Sequence, residues 1–222
     1  MDNESRILDS WNRNAEPWID AVRNRGIRAA GTASRDAIMA AIQSHAKPGA
    51  TVLDVGCGEG WLAQLLSETG YRVTGVDASP ALIDHARRHA HAQFLVGDLA
   101  NLPALALGRF DLVVCNFSLF GEDSVRRFIL SLPTLLIEGG TCLIQTLHPL
   151  AFFQGGDYRS QWCEGTWAGL PGDFSEPAPW YFRTMADWSA LFLEAGCRMV
   201  EIREVGAEAG KVETIVFVIS AS

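Results

Sequence analysis

The sequence predicts an α/β protein: a Rossmann-like three-layer sandwich around a mostly parallel seven-stranded sheet whose last strand is reversed. Three observations carry that expectation. From position 50 onward, short apolar runs rich in Val, Ile and Leu alternate with runs of helical periodicity. Gly56, Gly58 and Gly60 stand between the first of those strands and the first of those helices. Near the C-terminus, a connection spanning only positions 206–210 joins two strand-like runs, and a link that short requires antiparallel pairing.

The totals bound the answer. A chain of 222 residues fits one domain carrying an elaborated loop or small cap. Hydrophobic content of 48% and charged content of 20% suit a soluble globular protein. A net charge of −8 argues against non-specific binding to nucleic acid. No apolar run suggests a membrane span, and the acidic start Met1-Asp2-Asn3-Glu4 lacks the order of a signal peptide. The five cysteines are scattered without a Cys-x-x-Cys pair, which fits reduced thiols in a cytoplasmic protein.

Residues 4–24 read as a helix carrying Trp11 and Trp18, with Pro17 kinking it or dividing it in two. It either packs its tryptophans onto the domain or forms a lid. Positions 26–32 read as a linker holding Arg28, just after Arg25. A second helix spans 34–45, with Ile38, Met39 and Ile42 on one face, and Pro48-Gly49 stops it. The first strand is 51–55. The helix after the glycines carries apolar residues at 61, 62, 65 and 66, and Gly70 ends it. A strand over 71–76 then ends in Asp77, and Pro80 opens the next helix. Its His85 and His89 have metal-ligand spacing, but flanking arginines and the lack of a third ligand favour a solvated face, so no metal site is expected. Further strands are expected at 93–96, within 110–120 (a strand and the loop past it), 141–147 (turned in by Gly139-Gly140), 197–205 and 213–219. Helices are expected at 124–136 and 185–195, the latter capped by Thr184.

The glycine turn lets backbone approach a ligand where a Cβ would clash, and a helix N-terminus behind it favours an anionic group. A dinucleotide fingerprint would place its third glycine at 61, where this chain has Trp61. Asp77 falls 21 residues after Gly56, the distance at which such folds hold ribose hydroxyls; the alternative is an acid that merely favours a helix dipole. Asp54-Val55-Gly56-Cys57-Gly58-Glu59-Gly60 and Val73-Thr74-Gly75-Val76-Asp77-Ala78-Ser79 together resemble the first and second motifs of class I S-adenosylmethionine (SAM) methyltransferases of the small-molecule, ubiquinone-biosynthesis-like type. The resemblance covers about residues 50–147 in motif and 185–220 in element order only.

That resemblance implies SAM as cofactor, with Trp11, Asp54, Gly56, Gly58, Asp77, Ala78, Asp98, Leu99 and Asn116 around it. Asp98 would accept from the adenine amine, or it is a turn aspartate. Asn116-Phe117-Ser118-Leu119 stands where families that methylate nitrogen in DNA or protein carry Asn/Asp-Pro-Pro-Tyr, which speaks against that chemistry. The expected division is 1–49 for N-terminal helices and lid, 50–147 for the SAM-binding core, 148–183 for a substrate cap and 184–222 for a C-terminal helix and strand pair.

The 148–183 insertion carries nine aromatics and overhangs the carboxyl edge of the sheet, where ligands of open α/β folds bind. Substrate contacts are expected from Phe120, Phe152, Tyr158, Trp180, Tyr181 and Arg183; part of the aromatic set completes the core instead. Arg183 or Arg159 would hold a substrate carboxylate, or pair at the rim with Asp157 or Glu164. His148, at the exit of the fifth strand, is the candidate catalytic base for a hydroxyl acceptor; the alternative is a turn histidine bonded to backbone. The expected function is methyl transfer to a small molecule, at oxygen, by a cytoplasmic monomer or homodimer with no nucleic-acid or membrane partner. A SAM-binding protein with other or no transfer chemistry is one alternative. A nicotinamide-dependent oxidoreductase is the other, opposed by Trp61, Asp98 and the reversed last strand.

Overall fold

The computed structural model describes residues 1–23, 31–151, 157–207 and 211–221. The elements run α1 (Asn3–Arg13), α2 (Ala15–Arg23), α3 (Gly31–His45), β1 (Thr51–Val55), α4 (Trp61–Glu68), β2 (Arg72–Asp77), α5 (Pro80–His89), β3 (Gln93–Val96), a 3-10 segment (Leu99–Leu105), β4 (Phe110–Asn116), α6 (Asp123–Leu135), β5 (Leu136–Leu147), β6 (Gln161–Cys163), β7 (Trp180–Phe182), α7 (Met185–Glu194), β8 (Cys197–Ala207) and β9 (Lys211–Ala221).

One sheet takes the order β3-β2-β1-β4-β5-β9-β8. The pairs from β3 to β5 are parallel, whereas β9 runs antiparallel to both β5 and β8. The reversed strand is thus the last one, inserted between β5 and β8. Alternation along the central strands builds the layers. Leu53, Val113 and Cys115 face a core shared with Phe128, Ile129 and Leu132 of α6 and Trp188 and Phe192 of α7. Val52, Leu112 and Val114 face the opposite core, with Ile38 and Ile42 of α3, Leu62 and Leu66 of α4 and Ile83 of α5. The strand order changes direction between β1 and β4, so a crevice opens beyond their carboxyl ends.

Three boundaries differ from the sequence reading. The N-terminal helix divides at Asn14, whose backbone leaves helical geometry at φ −99°, ψ 12°, and not at Pro17. Pro17 lies in the first turn of α2, where its missing N–H costs no helical bond. β5 begins at Leu136, paired with Phe110, earlier than position 141; Gly139, at φ +76°, and Gly140 lie in the irregular stretch before regular pairing resumes at Thr141. The α3 helix begins at Gly31, earlier than position 34. Arg25, Arg28, Phe152 and Phe153 lie outside the described residues.

Candidate functional site

The loop after β1 is shaped by two contacts to the end of β2. Gly56 and Cys57 donate backbone N–H groups to the Val76 carbonyl at 2.7 and 3.1 Å. Gly58 N–H donates to Asp77 Oδ2 at 2.9 Å, and Ser79 N–H donates to Oδ1 at 2.8 Å. The expected pair, Asp77 and the glycine loop, is therefore in direct contact. Gly56 has φ +70°, and a Cβ there would overlap that of Ser118, whose hydroxyl is fixed on the Val55 carbonyl at 2.6 Å. At Gly60 an added Cβ would meet Ala86 Cβ at 2.8 Å, because α5 packs directly against the turn. At Gly58 it would meet only Trp18 Nε1, at 3.8 Å, so this backbone faces open space.

Three carboxyl groups converge at the loop. Asp54 is 1% exposed, and burial, reinforced by Asp77 and Glu59, pushes its carboxyl up to about 8. Its Oδ2 has no partner. Burial also raises Asp77, against the backbone N–H groups that lower it. Glu59 is raised by burial too, and is opposed by Arg23 and the Trp18 indole. Trp18 Nε1 lies 3.3 Å from Glu59 Oε2, and Arg23 Nη2 donates to the Glu59 carbonyl at 3.2 Å.

A continuous crevice of about 3200 Å³ runs from this loop past the ends of β2, β4 and β5. Pockets for a single small ligand are several-fold smaller, so it has room for two. Ala78, Asp98, Leu99 and Asn116 all line it, with Asp54 behind the loop. Asp98 commits Oδ1 to the Ala100 N–H at 3.1 Å, capping the 3-10 segment. Asn116 Oδ1 is buried without a partner. Two residues here gave no sequence signal. Phe117 adopts φ +52°, rare for a bulky side chain. Arg35 of α3 lines the same crevice, with Cζ 5.4 Å from the Trp61 ring centroid at the start of α4.

The N-terminal helices border the crevice through Trp11 and Trp18. Trp11 packs on Phe120 and Trp167 with centroids 5.6 and 5.4 Å away, joining three separate segments. Glu4 Oε1 accepts from Glu122 and Asp123 N–H at 2.8 and 2.9 Å, and Ser124 Oγ donates to its Oε2 at 2.7 Å. A side chain of α1 thus caps α6. Asn14 exchanges two bonds with the Ser175 backbone, at 2.7 and 2.8 Å.

Of the expected substrate contacts, Phe120, Trp180, Tyr181 and Arg183 line the crevice. Tyr158 does not: its ring lies edge-on to Phe182, and its hydroxyl accepts from the Met185 N–H at 3.1 Å, at the start of α7. The rim salt bridges form without Arg183. Arg159 pairs with Asp157 at 3.8 Å and Glu164 with Arg6 at 2.9 Å, whereas Arg183 is 6% exposed.

His148, the expected base, lines the crevice with both ring nitrogens engaged. Its Nδ1 accepts from the Leu150 N–H at 3.1 Å, so the proton resides on Nε2, which lies 3.0 Å from Glu204 Oε1. Both ring nitrogens are engaged and the side chain is 1% exposed, which is the geometry of the turn histidine. The spacing of His148 from β5 carried no information about where its lone pair points.

The residues present fit SAM. The backbone around Gly58 is open to the crevice, the Asp77 carboxylate sits at its mouth, and Asn116 carries an oxygen no protein group satisfies. Comparison with known proteins points the same way. Residues 52–140 match a methyltransferase domain. A ubiquinone biosynthesis O-methyltransferase from Xanthomonas campestris pv. campestris (strain B100) is 33% identical over 153 residues, 65% of this chain and 63% of that one. The match thus spans less than two thirds of that relative's length. The structure of magnesium protoporphyrin IX methyltransferase from Synechocystis PCC 6803, with bound SAH, superposes over the whole of both chains with a TM-score of 0.70 at 18% identity. A TehB-like SAM-dependent methyltransferase from Corynebacterium glutamicum covers 95% of this chain and 99% of its own, with a TM-score of 0.65 at 23% identity. With the two motifs meeting at Gly58 and Asp77, residues 52–140 carry a segment that matches a methyltransferase domain, on a fold like that of solved SAM-dependent methyltransferases.

Proposed function

We propose that the chain transfers a methyl group from SAM to an oxygen of a small-molecule acceptor. The observation that carries this reading is the contact of Asp77 with the Gly58 N–H at the mouth of a crevice large enough for two ligands. The choice of oxygen leans on the similarity to a ubiquinone biosynthesis O-methyltransferase.

When bound, SAM supplies a methyl group already activated on a sulfonium. The chain's own residues bind and orient. Asp77, still able to accept on its remaining lone pairs, takes the ribose hydroxyls. Asp98 takes the adenine amine, flanked by Ala78 and Leu99, and the backbone at Gly56 and Gly58 admits the amino-acid portion. Arg35 supplies a cation for a carboxylate beside the N-terminus of α4. Trp11 of the lid, packed on Phe120 and on Trp167 of the cap, excludes water, and alignment of acceptor and methyl accounts for most of the rate. The net charge of −8 supports a small-molecule acceptor over nucleic acid. No helix among the described residues is long and apolar enough to cross a membrane.

The test is methyl transfer from isotope-labelled SAM to a library of phenols, alcohols, hydroxy acids, amines and carbon acids, read by mass spectrometry. Labelled O-methyl product from at least one class supports the reading. Label found only on nitrogen or carbon acceptors contradicts the choice of oxygen.

A further inference from the structure

Arg183 occupies a position where an isolated charge is unfavourable. It follows β7, is 6% exposed, and has its guanidinium pulled down to about 10 by burial. Its Cζ stands 4.8 Å from the Tyr181 ring centroid and 5.1 Å from that of Trp188. Nη2 donates to the Glu122 carbonyl at 2.8 Å, while Nη1 is buried with no hydrogen-bond partner.

Carboxylates near it are committed elsewhere. Glu122, Glu4 and Asp187 favour its charge through space. Yet Glu4 caps α6, Glu122 accepts from the Trp162 indole at 3.0 Å, and Asp187 accepts from the Ser160 and Thr184 hydroxyls. Among the described residues Arg183 forms no ion pair. A buried cation left so is uncommon, and an unpaired buried N–H more so.

Two further features say what would complete it. The guanidinium is flanked by two rings and fixed by one carbonyl, and its planar fork of remaining donors suits a planar carboxylate. The crevice wall beside it is aromatic, built from Phe120, Trp162, Trp180 and Tyr181.

We propose that the acceptor is a planar, aromatic small molecule bearing a carboxylate, with the carboxylate bound by Arg183 and the ring lying against Phe120, Trp162 and Trp180. The word acceptor rests on the methyl-transfer reading; carboxylate binding itself does not. A ring held by its carboxylate at Arg183 directs its opposite end along the crevice toward the cofactor half.

The test is calorimetric titration of hydroxybenzoates, hydroxycinnamates and indole carboxylates, each beside its methyl ester, with and without S-adenosylhomocysteine. At least one acid is expected to bind at least ~10-fold more tightly than its ester, the effect of one hydrogen bond to a charged group. Arg183→Gln is expected to erase that preference and Arg183→Lys to retain part of it, with S-adenosylhomocysteine affinity unchanged in both. Esters binding as tightly as acids across the panel, no acid binding at all, or an acid preference that survives Arg183→Gln would each overturn the proposal. Should Arg183→Gln fail to fold, the acid–ester comparison on the unaltered chain decides alone. Loss of S-adenosylhomocysteine binding by the unaltered chain would instead count against the methyl-transfer reading.

Discussion

Asp77 and Gly58 meet through a single hydrogen bond, Gly58 N–H to Asp77 Oδ2 at 2.9 Å, which ties the end of β2 to the turn after β1. The same carboxylate holds Ser79 N–H at 2.8 Å through its other oxygen, so one side chain orders both loops bordering the crevice. Asp77→Ala removes a charged acceptor worth about 1.5–3 kcal/mol per bond and is expected to weaken S-adenosylhomocysteine binding at least ~10-fold by calorimetry. An unchanged dissociation constant would remove Asp77 from the cofactor site.

Gly56 tolerates no side chain. Its φ of +70° and the overlap of any Cβ with Ser118 act together. Gly56→Ala is expected to cost about 1–3 kcal/mol in denaturant unfolding, from the left-handed backbone and the steric conflict. Adding Ser118→Gly relieves the conflict but not the backbone strain, so it should restore only part of the loss. Full restoration would show that the backbone angle carries no cost.

Asp54 gives a pH signature. Its folded carboxyl stands at about 8 against an ordinary 3.8, so the folded state holds the proton more tightly than the unfolded chain. The stability this confers is complete below pH 3.8 and is lost as pH rises from there through about 8. Asp54→Asn cannot ionise. The unliganded wild-type melting temperature should therefore fall more steeply across that window than that of Asp54→Asn. Parallel profiles would mean that Asp54 is not the group responsible.

Glu4 caps a helix from a distant part of the chain. Loss of an N-cap side chain costs about 0.5–2 kcal/mol. Glu4→Ala is expected to destabilise by that amount and to speed hydrogen exchange in α1 and at the start of α6 together, because each end holds the other. Faster exchange in α6 with α1 unaffected would show that the cap does not anchor the N-terminal helix.

The fold was legible where chemistry is local. Periodicity located the strands on both sides of Gly56, and Thr184 announced α7 by accepting from Asp187 N–H at 3.1 Å. The split at Asn14 was not legible, because Pro17 is the stronger break signal until its place in the first turn of α2 is known. Gly139 and Gly140 read as a turn; they lie within β5 but in its irregular stretch between the Leu136 and Thr141 pairs, with Gly139 at φ +76°. At the site, Asp77 was found from its spacing because loop, strand and acid lie within one βαβ unit. His148, Tyr158 and Arg183 were harder: each is decided by partners far away in sequence, at Glu204, Phe182 and Glu122 respectively.

Central to the account is that the turn from Gly56 to Gly60 and the carboxylate of Asp77 hold an adenosine carrying an amino acid and not a dinucleotide. Thermal melting of the unaltered chain with S-adenosylhomocysteine and, separately, with NAD(H) tests it most directly. S-adenosylhomocysteine is expected to raise the melting temperature in a concentration-dependent way, with NAD(H) leaving it unchanged. Stabilisation by NAD(H) without any by S-adenosylhomocysteine would contradict it.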